Sequence, residues 1–338
     1  MSILAKDIGI DLGTSFTRIY VKGRGIVLRE PSVVAINGIT NEVLAVGDMA
    51  KEMLGRTPDN ILALRPLKGG VIANFYGTKM MLEQFFSKVV ERTMFSKPRV
   101  VVCVPSGVTD VEERAVEEVV YSSGAKEVYV MEEAMAAAIG AGLKVDGPEG
   151  TMIVDIGGGT TEVAVISLGG IVCSRSVRLA GEDIDKDIVE YITNKKNVII
   201  GEAAAEELKN TIGAAYSSMT EERMQIKGRE LTTGLPATIT VCTSEVQEAM
   251  QRIIEEILRT INETLERTPP ELAADIMEKG IVLSGGGAYI KNIDRYINSI
   301  IGIPVHVADN PTDCVIRGTG IALNNIEVLK KATKKRRK

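Results

Sequence analysis

Two short stretches, Asp11-Leu-Gly-Thr-Ser15 and Asp155-Ile-Gly-Gly-Gly-Thr-Thr161, decide how this chain reads. Each closes an apolar run, Asp7 to Gly13 in the first case and Met152 to Ile156 in the second. A second β-like run follows each, Phe16 to Val21 and Val163 to Ile166. A glycine turn at Gly23–Gly25 or Gly169-Gly170 then opens a third, Gly25 to Val34 or Ile171 to Leu179. The aspartates are 144 residues apart, and the segments beyond the last turn are 145 apart. A β-hairpin repeated once, half a chain away, predicts two related domains facing each other rather than a short-period solenoid.

The turns carry chemistry as well as topology. Glycines with small hydroxyl residues let backbone approach a ligand, and successive N–H groups form a nest for anions such as phosphate oxygens. Gly13, Thr14 and Ser15 supply one such nest, and Gly157, Gly158, Gly159, Thr160 and Thr161 the other. A carboxylate in front of each would repel phosphate unless a cation lay between. Mg²⁺ suits that place, because it prefers oxygen and gives up water reluctantly. Asp11 and Asp155 are therefore candidates to anchor Mg²⁺ through water. A third cluster, Ser284-Gly285-Gly286-Gly287-Ala288, lies between the strand Gly280–Leu283 and a helix expected over Tyr289–Ile300. A strand-to-helix turn without side chains accepts a flat ring, and a helix start favours phosphate.

Helices fill the intervals between the strands. Thr109 or Asp110 caps one through Ser123, with Gly124 as its stop. Met135–Leu143 is rich in small residues, and Glu202–Ala215 forms another helix. Ser244-Glu-Val-Gln247 reads as a capping box opening a long helix. Val246, Met250, Ile253, Ile257, Ile261 and Leu265 stripe one face of it, and Pro269-Pro270 ends it. Intermixed strands and helices mark an α/β protein.

Composition narrows the classes. At 338 residues the chain should hold about two domains. Hydrophobic residues at 45% and charged residues at 25% describe a folded protein. There is no Trp, and His306 is the sole His, which argues against a His-based triad and a multi-histidine metal site. The net charge of −5 conceals a basic end: Lys330–Lys338 carries seven positive charges, leaving −12 on the rest. So acidic a body argues against nucleic acid as a partner. Cys103, Cys173, Cys242 and Cys314 include no CxxC pair and read as buried, reduced thiols. Lys6, Asp7 and Asp11 interrupt any secretory core, and no run of 18 apolar residues exists, which places the expected compartment in the cytoplasm. P-loop, dinucleotide GxGxxG, HExxH, GxSxG and EF-hand motifs are missing.

Five motifs in order, Asp11-Leu-Gly-Thr, Glu132-Glu133, Asp155-Ile-Gly-Gly-Gly-Thr, Ser284-Gly-Gly-Gly and Gly318-Thr-Gly320, resemble those of the actin/Hsp70/sugar-kinase ATPase superfamily. Longer stretches narrow the resemblance. Gly25-Ile-Val-Leu-Arg-Glu-Pro-Ser-Val-Val34, Arg65-Pro-Leu-Lys-Gly-Gly-Val-Ile72, Val104-Pro-Ser-Gly107 and Arg267-Thr-Pro-Pro-Glu-Leu272 resemble the bacterial MreB/Mbl/MreBH family, over residues 5 to 329. The resemblance implies an actin-like ATPase fold, in which two duplicated ribonuclease-H-like domains flank a nucleotide cleft and each carries a smaller inserted subdomain. Its divisions would be 1–32, 66–144 and 310–338 for the first core (IA) and 33–65 for its insertion (IB). The second core (IIA) would span 145–180 and 240–309, with 181–239 inserted (IIB).

By the same resemblance, ATP and Mg²⁺ occupy the cleft. Glu206 and Lys209 flank the adenosine, Gly285, Gly286 and Gly287 approach base and sugar, and Glu133 and Glu162 orient the attacking water. Met135–Leu143 and Val315–Leu323 would be crossing helices that link the halves. Two residues depart from the family pattern: Ala134 stands where proline is usual, and Arg317 where a small or apolar residue is usual.

The implied function is a cell-shape cytoskeletal protein. It would hydrolyse ATP slowly, polymerise into antiparallel double filaments and orient the wall-elongation machinery. Met94-Phe95, two apolar residues in a polar stretch, match the position that enters the inner leaflet of the cytoplasmic membrane, and the basic end suits anionic lipid. Implied partners are further copies of the chain and transmembrane elongation proteins such as RodZ, MreC and MreD. Val33–Arg65 and Gly181–Pro236 would form the filament ends, and Val111–Ser123 the protofilament pairing side. An Hsp70-like chaperone ATPase and a small-molecule kinase of the same superfamily stand as alternatives.

Overall fold

The computed structural model describes residues 7–90, 97–216 and 221–326. Two five-stranded sheets share one topology. In the first, Gly25–Pro31, Phe16–Val21 and Ile8–Leu12 form an antiparallel meander, and Arg99–Val104 and Glu127–Glu132 add in parallel beyond Ile8–Leu12. In the second, Gly170–Val177, Thr161–Ser167 and Thr151–Ile156 form the meander, and Ile281–Ser284 and Val305–Val307 extend it in parallel. Asp11 pairs with Arg18 across the first hairpin and Asp155 with Glu162 across the second. The sequence repeat is thus a repeat of register.

Both sheets are covered on both faces, so their central strands are continuous apolar runs rather than alternating ones. Ile8, Ile10, Val100 and Val102 face the helices Phe75–Val89 and Asp110–Ser122. Met152, Val154, Val163 and Val165 face the helices Gly181–Lys196 and Thr243–Glu266. Between the sheets lie two small-residue helices, Glu133–Gly140 and Cys314–Ala322, packed with Val101, Cys103, Ile153 and Ala164. They cross at near-contact. A Cβ on Gly140 would fall 1.8 Å from the Cys314 carbonyl oxygen, and one on Gly318 would fall 1.8 Å from that of Ala136. Only glycine permits that approach.

Several local expectations change. Gly25 to Val34 is not one strand: it ends at Pro31, and Val34–Asn37 joins a separate sheet with Val43–Val46 and Ile61–Leu64. Pro31 offers no N–H to continue a ladder. Ser32, next in line, ties to the first turn instead, its hydroxyl donating to the Gly13 carbonyl at 2.7 Å. The long helix begins at Thr243, with Glu245 accepting from the Cys242 N–H at 2.9 Å. Ser244 does not cap it, because its hydroxyl donates to Glu221 at 2.6 Å. Pro270 starts the next helix, Pro270–Lys279. The helix after the third glycine cluster begins later than expected, as a 3-10 turn Gly286–Tyr289 followed by Ile293–Ile301. Thr109 does cap Asp110–Ser122, in a capping box with Glu112. All four cysteines are free thiols, but only Cys103 and Cys314 are buried; Cys173 and Cys242 are half-buried.

Candidate functional site

A cavity of about 420 Å³ opens where the two Asp turns meet. Asp11, Gly13, Thr14 and Ser15 line it from the first sheet, and Asp155, Gly157, Gly158, Gly159 and Thr160 from the second. Glu133, Glu206, Lys209, Gly285, Gly286 and Gly287 complete the set of sequence-selected residues on its wall. Thr161 and Glu162 stand behind it. Thr161 is fully buried and donates its hydroxyl to the Leu179 carbonyl at 2.8 Å. Glu162 is fully buried too, with Oε2 accepting from the Ser106 backbone N–H at 2.8 Å. Met94, Phe95 and Lys330–Lys338 lie outside the described residues.

The turns touch each other. A Cβ on Gly158 would fall 2.1 Å from Ser15 Oγ, and one on Gly159 would fall 2.5 Å from Thr14 Oγ1. The hydroxyls of one turn therefore rest on the bare backbone of the other. Thr14 Oγ1 also accepts from the Gly70 N–H at 2.9 Å, and Ser15 Oγ donates to Glu182 at 2.9 Å.

Four carboxyls crowd this region, all at most 7% exposed: Asp11, Glu133, Asp155 and Glu162. Burial disfavours their charge, and they disfavour one another's. Burial raises Asp155 to about 6 against the pull of the Ser284 hydroxyl, and raises Glu162 to about 7 against hydrogen bonds from Ser176 and Ser106. Glu133 lies well above the usual carboxylate range, through burial and then through the neighbouring charges of Glu162, Asp11 and Asp155. Asp11 is raised by burial, with Arg18 opposing at 3.1 Å. Asp155 Oδ1 and Glu162 Oε1 are buried without a hydrogen-bond partner. Among the described residues no three His, Cys, Asp or Glu side chains gather to cage a metal ion. Asp155 lines the cavity, and its orphaned carboxylate oxygen fits a cation that keeps its water.

An outer ring closes the mouth. Lys209 pairs with Asp185 at 2.7 Å and donates to the Gly181 carbonyl at 2.9 Å. Lys51, on the helix Asp48–Met53, pairs with Glu206 on Glu202–Ile212 at 2.8 Å. Arg65 approaches Glu182 at 3.6 Å. Arg18, Arg65, Glu182 and Asp185 line the cavity without having been singled out from sequence. Arg18 was within reach, since the offset of 144 makes it the counterpart of Glu162. Glu182 carried only the weak signal of an acidic residue in a first helical turn, and Asp185, further along the same helix, carried none.

Comparison with known proteins agrees with this geometry. The family model described as MreB/Mbl protein matches residues 5–331. The chain belongs to the MreB/Mbl family. It is 50% identical to the cell shape-determining protein MreB of Escherichia coli (strain K12), over 96% of this chain and 95% of that one. It is 48% identical to the cell shape-determining protein Mbl of Bacillus subtilis (strain 168), over 97% and 99%. Crystal structures of MreB5 of Spiroplasma citri superpose on it with TM-scores of 0.91 bound to ADP (41% identity, 96% and 97% coverage) and 0.92 bound to AMPPNP (39%, 98% and 100%). The two sheets and crossing helices of this MreB/Mbl member thus form an actin-like fold. Its two departures from the family pattern also find their places. Ala134 is fully buried in the first turn of Glu133–Gly140, and Arg317 Nη1 donates to the Asp309 carbonyl at 3.4 Å.

Proposed function

We propose that this chain is a cell-shape-determining, actin-like cytoskeletal ATPase that binds ATP with Mg²⁺ between its two Asp turns. The observation that carries the reading is the contact of Gly158 and Gly159 with Ser15 and Thr14: two phosphate-type nests, far apart in sequence, share one cavity. Relatives of the same fold bind ADP and AMPPNP, which supports the assignment. Gly13–Ser15 and Gly157–Thr160 would hold phosphates from opposite sides, while Glu206, Lys209 and Gly285–Gly287 would hold the nucleoside. Asp155, with its orphaned oxygen, and Asp11 would hold Mg²⁺ through water. The metal, when bound, supplies charge neutralisation at the phosphate oxygens. Glu133 is on the wall and would orient the attacking water, while Glu162 acts on it from behind through its charge. Ala134 leaves φ free beside Glu133, in keeping with slow hydrolysis.

The four-part division, 1–32 with 66–144 and 310–338, 33–65, 145–180 with 240–309, and 181–239, is part of this reading. So are head-to-tail polymerisation and pairing of antiparallel protofilaments. No helix among the described residues is long and apolar enough to cross a membrane. Attachment to the inner face of the membrane would rest on Met94-Phe95, worth about 1.5–3 kcal/mol per buried side chain. The basic end would add about 1 kcal/mol per charge near anionic lipid. Both are weak singly and strong in a polymer, where linkage multiplies them. Transmembrane elongation proteins such as RodZ, MreC and MreD would be the partners on the far side of that attachment.

Sedimentation tests the reading. With MgATP the chain should pellet as filaments and release phosphate slowly, and with anionic liposomes the filaments should float. Met94→Ser with Phe95→Ser should preserve pelleting and abolish flotation. ATP consumption in proportion to an added acceptor, without a pellet, would establish the kinase alternative instead.

A further inference from the structure

Three cations line the cavity, Arg18, Arg65 and Lys209. Of these, Arg18 is paired with an aspartate of the turns themselves. Its Nη1 donates to Asp11 Oδ2 at 3.1 Å, and its guanidinium lies 5.6 Å over the Phe16 ring. Its Nε is buried without a hydrogen-bond partner, 3.8 Å from Asp313 Oδ1. Asp313 is gripped from the other side by Arg29, through bonds of 3.1 and 2.7 Å. The order Arg29–Asp313–Arg18–Asp11 forms an alternating chain of charge from the surface to the cavity floor. Side-chain exposure falls from 52% at Arg29 to 15% at Arg18 and 8% at Asp11.

Asp313 ends the 3-10 turn Pro311–Asp313, whose Pro311 carbonyl accepts from the Gly285 N–H at 2.9 Å and from Ser284 Oγ at 3.2 Å. One short segment therefore fixes both the third glycine cluster and the orientation of Arg18. A guanidinium presents five donors in a rigid fork suited to phosphate, and only one is engaged with Asp11. An anion entering between the turns meets a cavity already rich in carboxylates. A cation built into the wall offsets that repulsion whether or not a divalent metal is present.

We propose that Arg18, oriented by Asp313 and Arg29, is a built-in counter-cation that contacts the nucleotide polyphosphate and lowers the dependence of binding on divalent metal. Asp313 is a positioning residue in this scheme. The inference rests on the nucleotide reading above and deepens it.

The test measures ATP affinity of the full chain by calorimetry, with Mg²⁺ and with EDTA, and takes the ratio of the two dissociation constants. Loss of a charge-assisted contact in Arg18→Met should raise that ratio about tenfold, and Asp313→Asn should raise it about threefold. Arg18→Lys, which keeps the charge and loses the fork, should raise it less than Arg18→Met does. Because each variant is its own control, a general loss of stability moves both constants and leaves the ratio unmoved. Should Arg18→Met not fold, Asp313→Asn against Arg18→Lys decides. An unchanged ratio in Arg18→Met, or in Asp313→Asn where the first variant does not fold, overturns the role of Arg18. Absence of ATP binding by wild type under both conditions overturns the nucleotide reading itself, and binding with Mg²⁺ but none in EDTA overturns the role of Arg18.

Discussion

The two Asp turns share one backbone plan and dress it oppositely. At the common offset of 144, Asp11 matches Asp155 and Gly13 matches Gly157, but Thr14 faces a counterpart in Gly158, Ser15 in Gly159, and Arg18 in Glu162. The first turn carries hydroxyls and the second is bare, and each condition requires the other. Side chains on both would force the halves apart, since a Cβ at Gly158 already falls 2.1 Å from Ser15 Oγ. The cross-strand partners separate the aspartates chemically as well. Asp11 has a guanidinium beside it, whereas Asp155 sits opposite a carboxylate and keeps an oxygen without a partner. A duplicated scaffold has been divided into a half that brings its own cation and a half that is short of one.

The sharpest way to break this comparison is at the aspartates. Asp155→Ala should abolish Mg²⁺-dependent ATP binding, a loss of at least about 100-fold, the scale expected when a buried charged contact disappears. Asp11→Ala should weaken binding less, because it also frees Arg18 for the phosphates. Equal losses in the two variants, read by calorimetry, would show that the turns are interchangeable. Next in size comes Gly159→Ala, whose Cβ meets Thr14 Oγ1 at 2.5 Å. Overpacking of this kind costs about 1–3 kcal/mol. It should appear as roughly tenfold weaker nucleotide binding with little change in the unfolding midpoint of the metal-free chain. The double variant Gly159→Ala with Thr14→Gly should recover much of that loss, which a purely local backbone effect would not allow.

How much of this was legible in the sequence follows from where each residue's partners lie. The turns and their aspartates were readable, because a repeat in sequence is a repeat in local structure; that two helices cross between the halves came from the family resemblance. Arg18 was missed although its information was present: its meaning depends on hairpin register, which places it opposite Asp11. Lys51, Arg65, Glu182 and Asp185 belong to segments whose docking over the cavity is tertiary, and no local pattern predicts it. Ser244 misled for a related reason. Its sequence suits a cap, but Glu221, on a distant part of the chain, holds its hydroxyl. Glu162, which the resemblance sets beside Glu133 at the attacking water, accepts from the Ser106 N–H, a tertiary contact that no local pattern predicts.

The difference in cation supply also sets a pH dependence. Asp155 and Glu162 titrate near 6 and 7 in the folded chain, against ordinary values of 3.8 and 4.5. Between those limits the folded state holds protons that the unfolded state has released. Stability of the metal-free chain should therefore fall as pH rises from about 4 to about 7, by about 1.4 kcal/mol per unit for each group while it is so poised. Urea midpoints in EDTA across that range should show the decline, and Glu162→Gln should make it shallower. MgATP should flatten it, since it favours the ionised carboxylates. A midpoint that climbs steadily from pH 4 to 7 would contradict the idea that the second half lacks a cation.

The smallest expected effect lies at the mouth, where the two halves meet through Lys51 and Glu206 rather than through the turns. The pair is partly exposed, 30% and 28% at the side chains, and Lys51 Nζ also lies 5.7 Å over the Phe16 ring. A solvent-screened ion pair of this kind contributes about 0.2–1 kcal/mol. Lys51→Met should therefore leave the unfolding midpoint nearly unchanged. It bridges the helices on either side of the cavity, however, so its loss should act on the opening rate, raising nucleotide release about twofold to fivefold in stopped-flow exchange. High salt should mimic the variant in wild type and do little to Lys51→Met. If release is unchanged while Gly159→Ala still weakens binding, closure of the two halves depends on the fit of the bare turn against the hydroxyl-bearing one, and the mouth contact only follows it.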